Sequence, residues 1–428
     1  MTKDLTASAE PGSVQSTLVQ HRSCRGCGAL LRTSFVDLGM SPLCESYVSA
    51  DRLDAMEAFY PLHVLVCDAC LLVQLSEYVA PTEIFSEYAY FSSFSSSWLA
   101  HCRHYVEEVT TRYALTRESV VIEVASNDGY LLQYFHERGI PVLGIEPAAN
   151  VAKVAEAKGI PTRVEFFGRA AADRLVASGY QADLVVGNNV LAQVPDLNDF
   201  VGGLARVMKA DGVLTLEVPH LLTLIDGNQF DTIYHEHFSY FSLFALEQVL
   251  ERHGLMVVDV EELATHGGSL RIHVRHADRR WTIGAGLEKV RADESRAGMT
   301  RLEGYAGFAK RVEETKRALL QVLIDLKQCG KTVVGYGAPG KGNTLLNYCG
   351  IRTDFIDFVV DRNPYKQGRF LPGTHIPIRR PEDLDRARPD YVLILPWNLK
   401  TEIMEQLAHI RAWGGAFIVP IPRAEICG

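Results

Sequence analysis

From Ser119 onward the chain repeats one rhythm: a short apolar run, a turn of small or polar residues, then a helical stretch. Val120-Val-Ile-Glu-Val-Ala125 runs into the turn Ser126-Asn-Asp-Gly129, and a helical pattern begins at Leu131. Residues 142–146, 184–187 and 213–218 repeat the apolar run. Strands separated by helices pair through right-handed crossovers, so the pattern predicts a parallel α/β sheet. Residues 256–260 and 270–274 are two further apolar runs able to close it. The rhythm returns after Lys331, with a strand at 332–335, the glycine-rich turn Gly337-Ala-Pro-Gly-Lys-Gly342 and a helix from Asn343. Residues 355–360 and 391–395 read as further strands. Between the two units, residues 287–328 are rich in Glu, Lys, Arg, Ala and Leu and read as long linking helices.

Charge and hydropathy remove several functional classes. Lys and Arg number 43 and Asp and Glu 52, a net charge of −9. That balance argues against DNA or another polyanion as a partner. No apolar run approaches the length of a bilayer span, so no membrane partner is expected. The first twenty residues include Asp4 and Glu10 and lack the apolar stretch of a secretory signal. A disordered tail over residues 1–20 of a cytoplasmic protein is expected.

Before the first α/β unit stand two tight cysteine pairs, Cys24-Arg-Gly-Cys27 and Cys67-Asp-Ala-Cys70. In a reducing compartment such pairs read as metal ligands before disulfides. Four thiolates suit a tetrahedral zinc ion and leave no open position, so the zinc would be structural. A redox pair is the rival reading, and the duplication argues against it. The other five cysteines, including Cys44, are isolated and read as small apolar residues.

Three further motifs carry chemistry. In Glu123-Val-Ala-Ser-Asn-Asp-Gly129 a small-residue turn follows the first strand, and Glu146 ends the next. Such a turn admits a ligand close to the backbone, and an acidic strand end can accept ribose hydroxyls. The turn is acidic at Asp128 and has one glycine, which suits a cationic nucleoside, S-adenosylmethionine, better than the pyrophosphate of NAD. Glu123, Ala125, Asn127, Asp128, Gly129 and Glu146 are therefore candidate cofactor residues, joined by Asn188 and Asn189 after the fourth strand. A structural turn with a solvated Glu146, and helix-capping asparagines, are the alternatives. In Tyr234-His-Glu-His237 two histidines and a carboxylate fall within four residues. Histidine titrates nearest neutrality and suits removal of a proton from carbon; Glu236 could raise its basicity and a tyrosine could donate to an oxyanion. A hydrogen-bonded loop is the alternative. The turn at 337–343 lacks the spacing of a phosphate-binding P-loop, but its backbone N–H groups and Lys341 could face a pyrophosphate. A tight structural turn competes with that reading.

These residues carry a resemblance. VIEVASNDGYLL (121–132), GIEPA (144–148), YHEHFSYFS (234–242), THGGSLR (265–271), KGNTLLN (341–347), DRNPYKQGRFLPGTHIPI (361–378) and ILPWN (394–398) follow one another in the order found in sugar-nucleotide C-methyltransferases of antibiotic deoxysugar biosynthesis. The chain resembles that family from Cys24 to its end. The resemblance implies a zinc-binding module over residues 21–80, a class I methyltransferase domain over 81–285, linking helices over 286–330 and a Rossmann-like nucleotide-sugar domain over 331–428. A monomer is expected, and the resemblance implies action on a dTDP-linked 4-keto deoxyhexose, most often at C-3′. His237 matches the family's base, Tyr234 and Glu236 its partners, and Tyr88, favoured over Tyr90, a tyrosine facing the sugar. Gly337, Lys341, Gly342, Asn343, Asp361 and Asn398 fall where the nucleotide sugar would lie. Relatives read NVLAHVPD where this chain has Gln193, which cannot act as a base, and alanine-like residues are expected where it has Pro339-Gly340. A ketone at C-4′ acidifies both C-3′ and C-5′, so either carbon is open to methylation. Two rivals stand beside this reading. A non-catalytic homologue would bind the same ligands without turnover. An NAD oxidoreductase would need a Tyr-x₃-Lys dyad that no suitable strand precedes.

Overall fold

The computed structural model describes residues 23–80 and 91–428. The tail expected over 1–20 and the tyrosine at 88 lie outside the described residues. Strands β1 (Thr33–Ser41), β2 (Tyr60–Val66) and β3 (Val73–Leu75) form an antiparallel meander. In β2 the inward positions Leu62, Val64 and Val66 alternate with partly exposed neighbours, the period-two pattern of a strand with one face on a core.

The central sheet uses β4 (Val121–Val124), β5 (Val142–Ile145), β6 (Thr162–Arg163), β7 (Ala182–Asn188) and β8 (Met208–Pro219). The short β9 (Ser239–Tyr240) leaves this sheet and pairs with β3, completing the N-terminal sheet. Strands β10 (Leu255–Leu263) and β11 (Ser269–His276) return to the central one. Its order is β10-β11-β8-β7-β4-β5-β6, parallel except where β11 lies antiparallel between β10 and β8. This is the class I methyltransferase arrangement, as expected. All four residues of β4 are buried, because helices cover both faces of a parallel sheet. Burying Val121, Ile122 and Val124 contributes about 1.5–3 kcal/mol each.

The helix Phe308–Gln328 leads into the third sheet. It contains β12 (Val333–Tyr336), β13 (Val359–Val360), β14 (Ile378–Arg379), β15 (Tyr391–Ile394), β16 (Ala416–Val419) and β17 (Glu425–Cys427). Their order is β14-β13-β12-β15-β16-β17, parallel except for β17. The strand order reverses between β4 and β7 in one sheet and between β12 and β15 in the other. Each reversal opens a crevice at the carboxyl ends of the strands.

The N-terminal module joins the two. Phe35 of β1 stacks on Phe308 at 4.7 Å, within one apolar core that runs on into the third sheet. At its other end Cys24, Cys67, Cys70 and Leu72 pack into the core of the methyltransferase sheet.

Candidate active site

The crevice between β4 and β7 opens into a cavity of about 560 Å³. Its walls come from all three units: Ala125 and Asn127 after β4, Glu146 after β5, Asn188, Asn189 and Gln193 after β7, and Tyr234, Glu236 and His237 from the loop before β9. The third sheet adds Pro339, Gly340 and Lys341, and the N-terminal module adds Glu45. Four non-glycine residues on this wall, Ala125, Asn127, Asn189 and His266, have φ between 49° and 58°. Left-handed backbone costs free energy at such residues, and it gathers where a site dictates the chain's path.

His237 has its Nδ1–H aimed at the Thr232 carbonyl, 3.2 Å away. That bond leaves Nε2 as the basic nitrogen, with no partner among the described residues. The Tyr234 ring lies 4.2 Å from the imidazole. Burial, with lesser repulsion from His266 and Lys341, lowers the His237 pKa to about 4. The ring is therefore neutral near pH 7, with Nε2 free to accept a proton. His235 points the other way: its Nε2 meets the Pro61 carbonyl at 3.3 Å, and Tyr60 and Tyr78 flank it. Two residues apart on an irregular loop, one histidine serves the N-terminal sheet and the other the cavity.

Glu236 does not support His237 as the sequence suggested. Its Oε1 accepts from the Cys44 thiol at 3.6 Å. Burial, then the nearby Glu45 carboxylate, push its pKa up to about 8. Glu236 is thus a carboxylic acid at neutral pH, a donor and not a counter-ion.

Glu146 accepts backbone N–H bonds from Asn127 (2.9 Å) and Ala148 (2.8 Å), which fix its carboxylate at the cavity. The Asn188 amide is buried, and neither its N nor its O has a partner among the described residues. A buried, unpartnered amide on a cavity wall is what a bound polar ligand would satisfy. The donor set fits a nucleoside cofactor. Glu123, Asp128 and Gly129 are not brought to the wall. Glu123 is fully buried, and burial raises its carboxyl well above the usual range, so it stays protonated beside Tyr130. Asp128 accepts from the Ser93 N–H and pairs with Lys158 at 3.5 Å. Gly129 supplies φ 74° and close packing on Ala155 and Ile160.

The glycine-rich turn after β12 is mostly filled. A Cβ on Gly337 would lie 2.7 Å from Pro396, and one on Gly342 3.0 Å from Leu395. Asp361 accepts the N–H groups of Ala338 (2.6 Å) and Asn363 (2.7 Å). Asn343 donates to the Cys44 carbonyl. Of the residues assigned to the nucleotide sugar, only Lys341 lines the cavity; its Nζ donates to Asn398 at 2.8 Å and sits 4.8 Å from the Trp397 ring. A Cβ on Gly340 would come 2.8 Å from the Cys44 sulfur, so glycine there admits the N-terminal module.

Sequence reasoning did not assign Trp98, His266 and Glu45. Trp98 stacks on His101 at 4.9 Å and meets His266 edge-on at 5.3 Å. The pair of glycines after His266 was the available signal, since Gly268 at φ 120° passes against Thr223. Nothing local marks Trp98 or Glu45.

At the metal site the four Sγ atoms of Cys24, Cys27, Cys67 and Cys70 lie within 4.8 Å of one another. Cys24–Cys70 and Cys27–Cys67 are each 3.5 Å apart. A tetrahedron with zinc–sulfur bonds of about 2.3 Å has edges of about 3.8 Å, so the cluster fits zinc. Gln74 Nε2 donates to the Cys24 sulfur at 3.1 Å, the supporting bond such ligands require.

Three family models match the chain in succession. Residues 24–85 match a zinc binding domain family model, residues 98–260 a methyltransferase domain and residues 264–422 a C-methyltransferase C-terminal domain. C-methyltransferase NovU of Streptomyces niveus is 36% identical over 403 residues, covering 94% of this chain and 96% of that protein. Among solved structures, a S-adenosylmethionine-dependent methyltransferase of Thermotoga maritima shares 15% identity at a TM-score of 0.33, covering 44% of this chain and 95% of that one. Magnesium protoporphyrin IX methyltransferase of Synechocystis, solved with S-adenosylmethionine bound, shares 15% identity at a TM-score of 0.31, covering 42% and 81%.

Proposed function

The chain belongs to the C-methyltransferase family, and on that premise we propose that it methylates a nucleotide-linked 4-keto deoxyhexose at a carbon flanking the ketone, with His237 as the base. It is an S-adenosylmethionine-dependent C-methyltransferase with a zinc-binding module. The family resemblance favours a dTDP-linked sugar and C-3′; C-5′ is the other carbon that the ketone acidifies.

The observation that carries this reading is the aim of His237. Its Nδ1–H is committed to Thr232, which leaves Nε2 as the basic nitrogen of a ring that lines the cavity. Nε2 takes the proton from the acidified carbon, and the electron pair of that C–H bond becomes the enolate. Glu236, neutral at this pH, is a donor to the developing oxyanion, with Tyr234 beside it. S-adenosylmethionine supplies an electrophilic methyl group on sulfonium. Glu146 accepts from its ribose hydroxyls, and Asn127, Asn188 and Asn189 face the rest of the nucleoside. Lys341 gives the far wall a positive charge for the diphosphate. Gly337, Gly342, Asn343, Asp361 and Asn398 hold the Lys341 turn in shape, and Cys24, Cys27, Cys67 and Cys70 hold the zinc.

The test uses purified protein, a dTDP-4-keto-6-deoxyhexose and methyl-labelled S-adenosylmethionine. Label on a sugar carbon next to the ketone is the expected product, and NMR distinguishes C-3′ from C-5′. Binding of both ligands without transfer to either carbon supports the non-catalytic homologue instead.

A further inference from the structure

Arg25 lies between the first two zinc ligands, yet its side chain reaches Pro195, which lines the cavity. Its guanidinium donates to the Pro195 carbonyl at 3.2 Å and to the Leu75 carbonyl. It also sits 5.3 Å from the centre of the Phe238 ring, the residue after His237. Its backbone is held as well. The Arg25 N–H donates to Gln74 Oε1 at 2.9 Å, and its carbonyl accepts from Asn198 at 2.7 Å.

The three segments that meet at Arg25 are also tied to each other. Leu75 N–H donates to the Phe238 carbonyl at 3.0 Å, and Phe238 N–H donates to the Ala192 carbonyl at 2.7 Å. Gln193, Val194 and Pro195 form one wall of the cavity, and Tyr234, Glu236, His237 and Ser239 contribute to another. We infer that Arg25 is a positioning residue: through its bonds to Pro195 and Leu75 and its contact with Phe238, it sets the separation of the Gln193 wall from His237. A single planar, charged group with several donors suits this task, since one cation satisfies two carbonyls from different units at fixed angles. The four cysteines hold the turn that holds Arg25, so the metal module reaches the chemistry through this side chain.

The inference rests on His237 being the base, and the two can fail separately. Arg25→Ala and Arg25→Lys are compared with the wild-type full chain for zinc content, S-adenosylmethionine affinity, kcat and KM. The expected result for Arg25→Ala is about one zinc per chain, unchanged cofactor affinity, little change in KM for the sugar nucleotide and a kcat about 10–100-fold lower, the scale of a small misplacement of reacting groups. Arg25→Lys, which keeps the charge but not the fork, falls between. Wild-type kcat in Arg25→Ala overturns the inference. So does a loss of kcat that only follows loss of zinc. If Arg25→Ala does not fold, Arg25→Lys decides, a reduced kcat at unchanged cofactor affinity supporting the inference and a wild-type kcat overturning it. Should His237→Asn retain full activity, the base assignment falls whatever Arg25 does.

Discussion

The turn after β4 and the turn after β12 occupy equivalent places, each beside the point where a parallel sheet reverses its strand order. The first faces open space: Asn127 and Glu146 stand on the cavity wall, and the Asn188 amide has no partner among the described residues. The second is occupied by its own protein. Pro396 packs on Gly337, Leu395 on Gly342, and Asp361 takes the Ala338 N–H that an anion would otherwise use. Topology decides where a ligand can bind, and the side chains that fill the crevice decide whether one does. What the third sheet offers the site is the end of that turn, Pro339, Gly340 and the long side chain of Lys341.

The largest effect that bears on this contrast comes from the metal, because the N-terminal module wedges between the two crevices. Replacing Cys67 or Cys70 with Ser should abolish zinc binding and unfold the module, since structural zinc contributes on the order of 10 kcal/mol. Metal analysis and a thermal melt check this; a folded, active, zinc-free protein would contradict it. Next is His237→Asn, which should keep cofactor affinity and lower methyl transfer about 10²–10⁴-fold, the usual share of a general base.

A matched pair sharpens the contrast between the turns themselves. Glu146→Ala should weaken S-adenosylmethionine binding by about 1–3 kcal/mol, the scale of a lost buried hydrogen-bond partner. Gly337→Ala should leave that binding unchanged and lower stability by about 1–3 kcal/mol, since alanine is strained at φ 85° and meets Pro396. Calorimetry and melting together read both; the reverse assignment of effects would erase the distinction.

The smallest effect is in the pH profile. His237 must be neutral to act, and its pKa is lowered to about 4. Its acid limb therefore lies near pH 4 and not near the usual imidazole value. Glu236 must be protonated to donate, and its pKa is raised to about 8. kcat/KM should hold level between those limits and fall above about pH 8; in Glu236→Gln, which cannot ionise, that alkaline fall should disappear.

How much was legible in the sequence follows the same division. The cysteine pairs, Glu146 and the His-Glu-His run are local patterns, and the structure brings the cysteines into one cluster and Glu146 and His237 to one cavity. The glycines after β12 were visible, but their reason was not. A glycine that admits a phosphate and a glycine that admits Pro396 have the same spelling. Glu123 reads as a polar residue near a turn, yet its strand position sends it into the core. Trp98, His266 and Glu45 reach the site from three separate segments, and only tertiary packing brings them together. The opposite aims of His235 and His237 arise in the loop before β9, which pairs with β3 far back in the chain, and no local pattern announces that pairing.

Solvent deuterium exchange at the sugar carbons, followed by NMR without the methyl donor, tests the role of His237 most directly. Wild-type protein should exchange the hydrogen at the carbon that is later methylated, His235→Asn should do the same, and His237→Asn should not. Exchange at the wild-type rate in His237→Asn, with its loss in His235→Asn, would contradict the assignment and move the base to the other histidine.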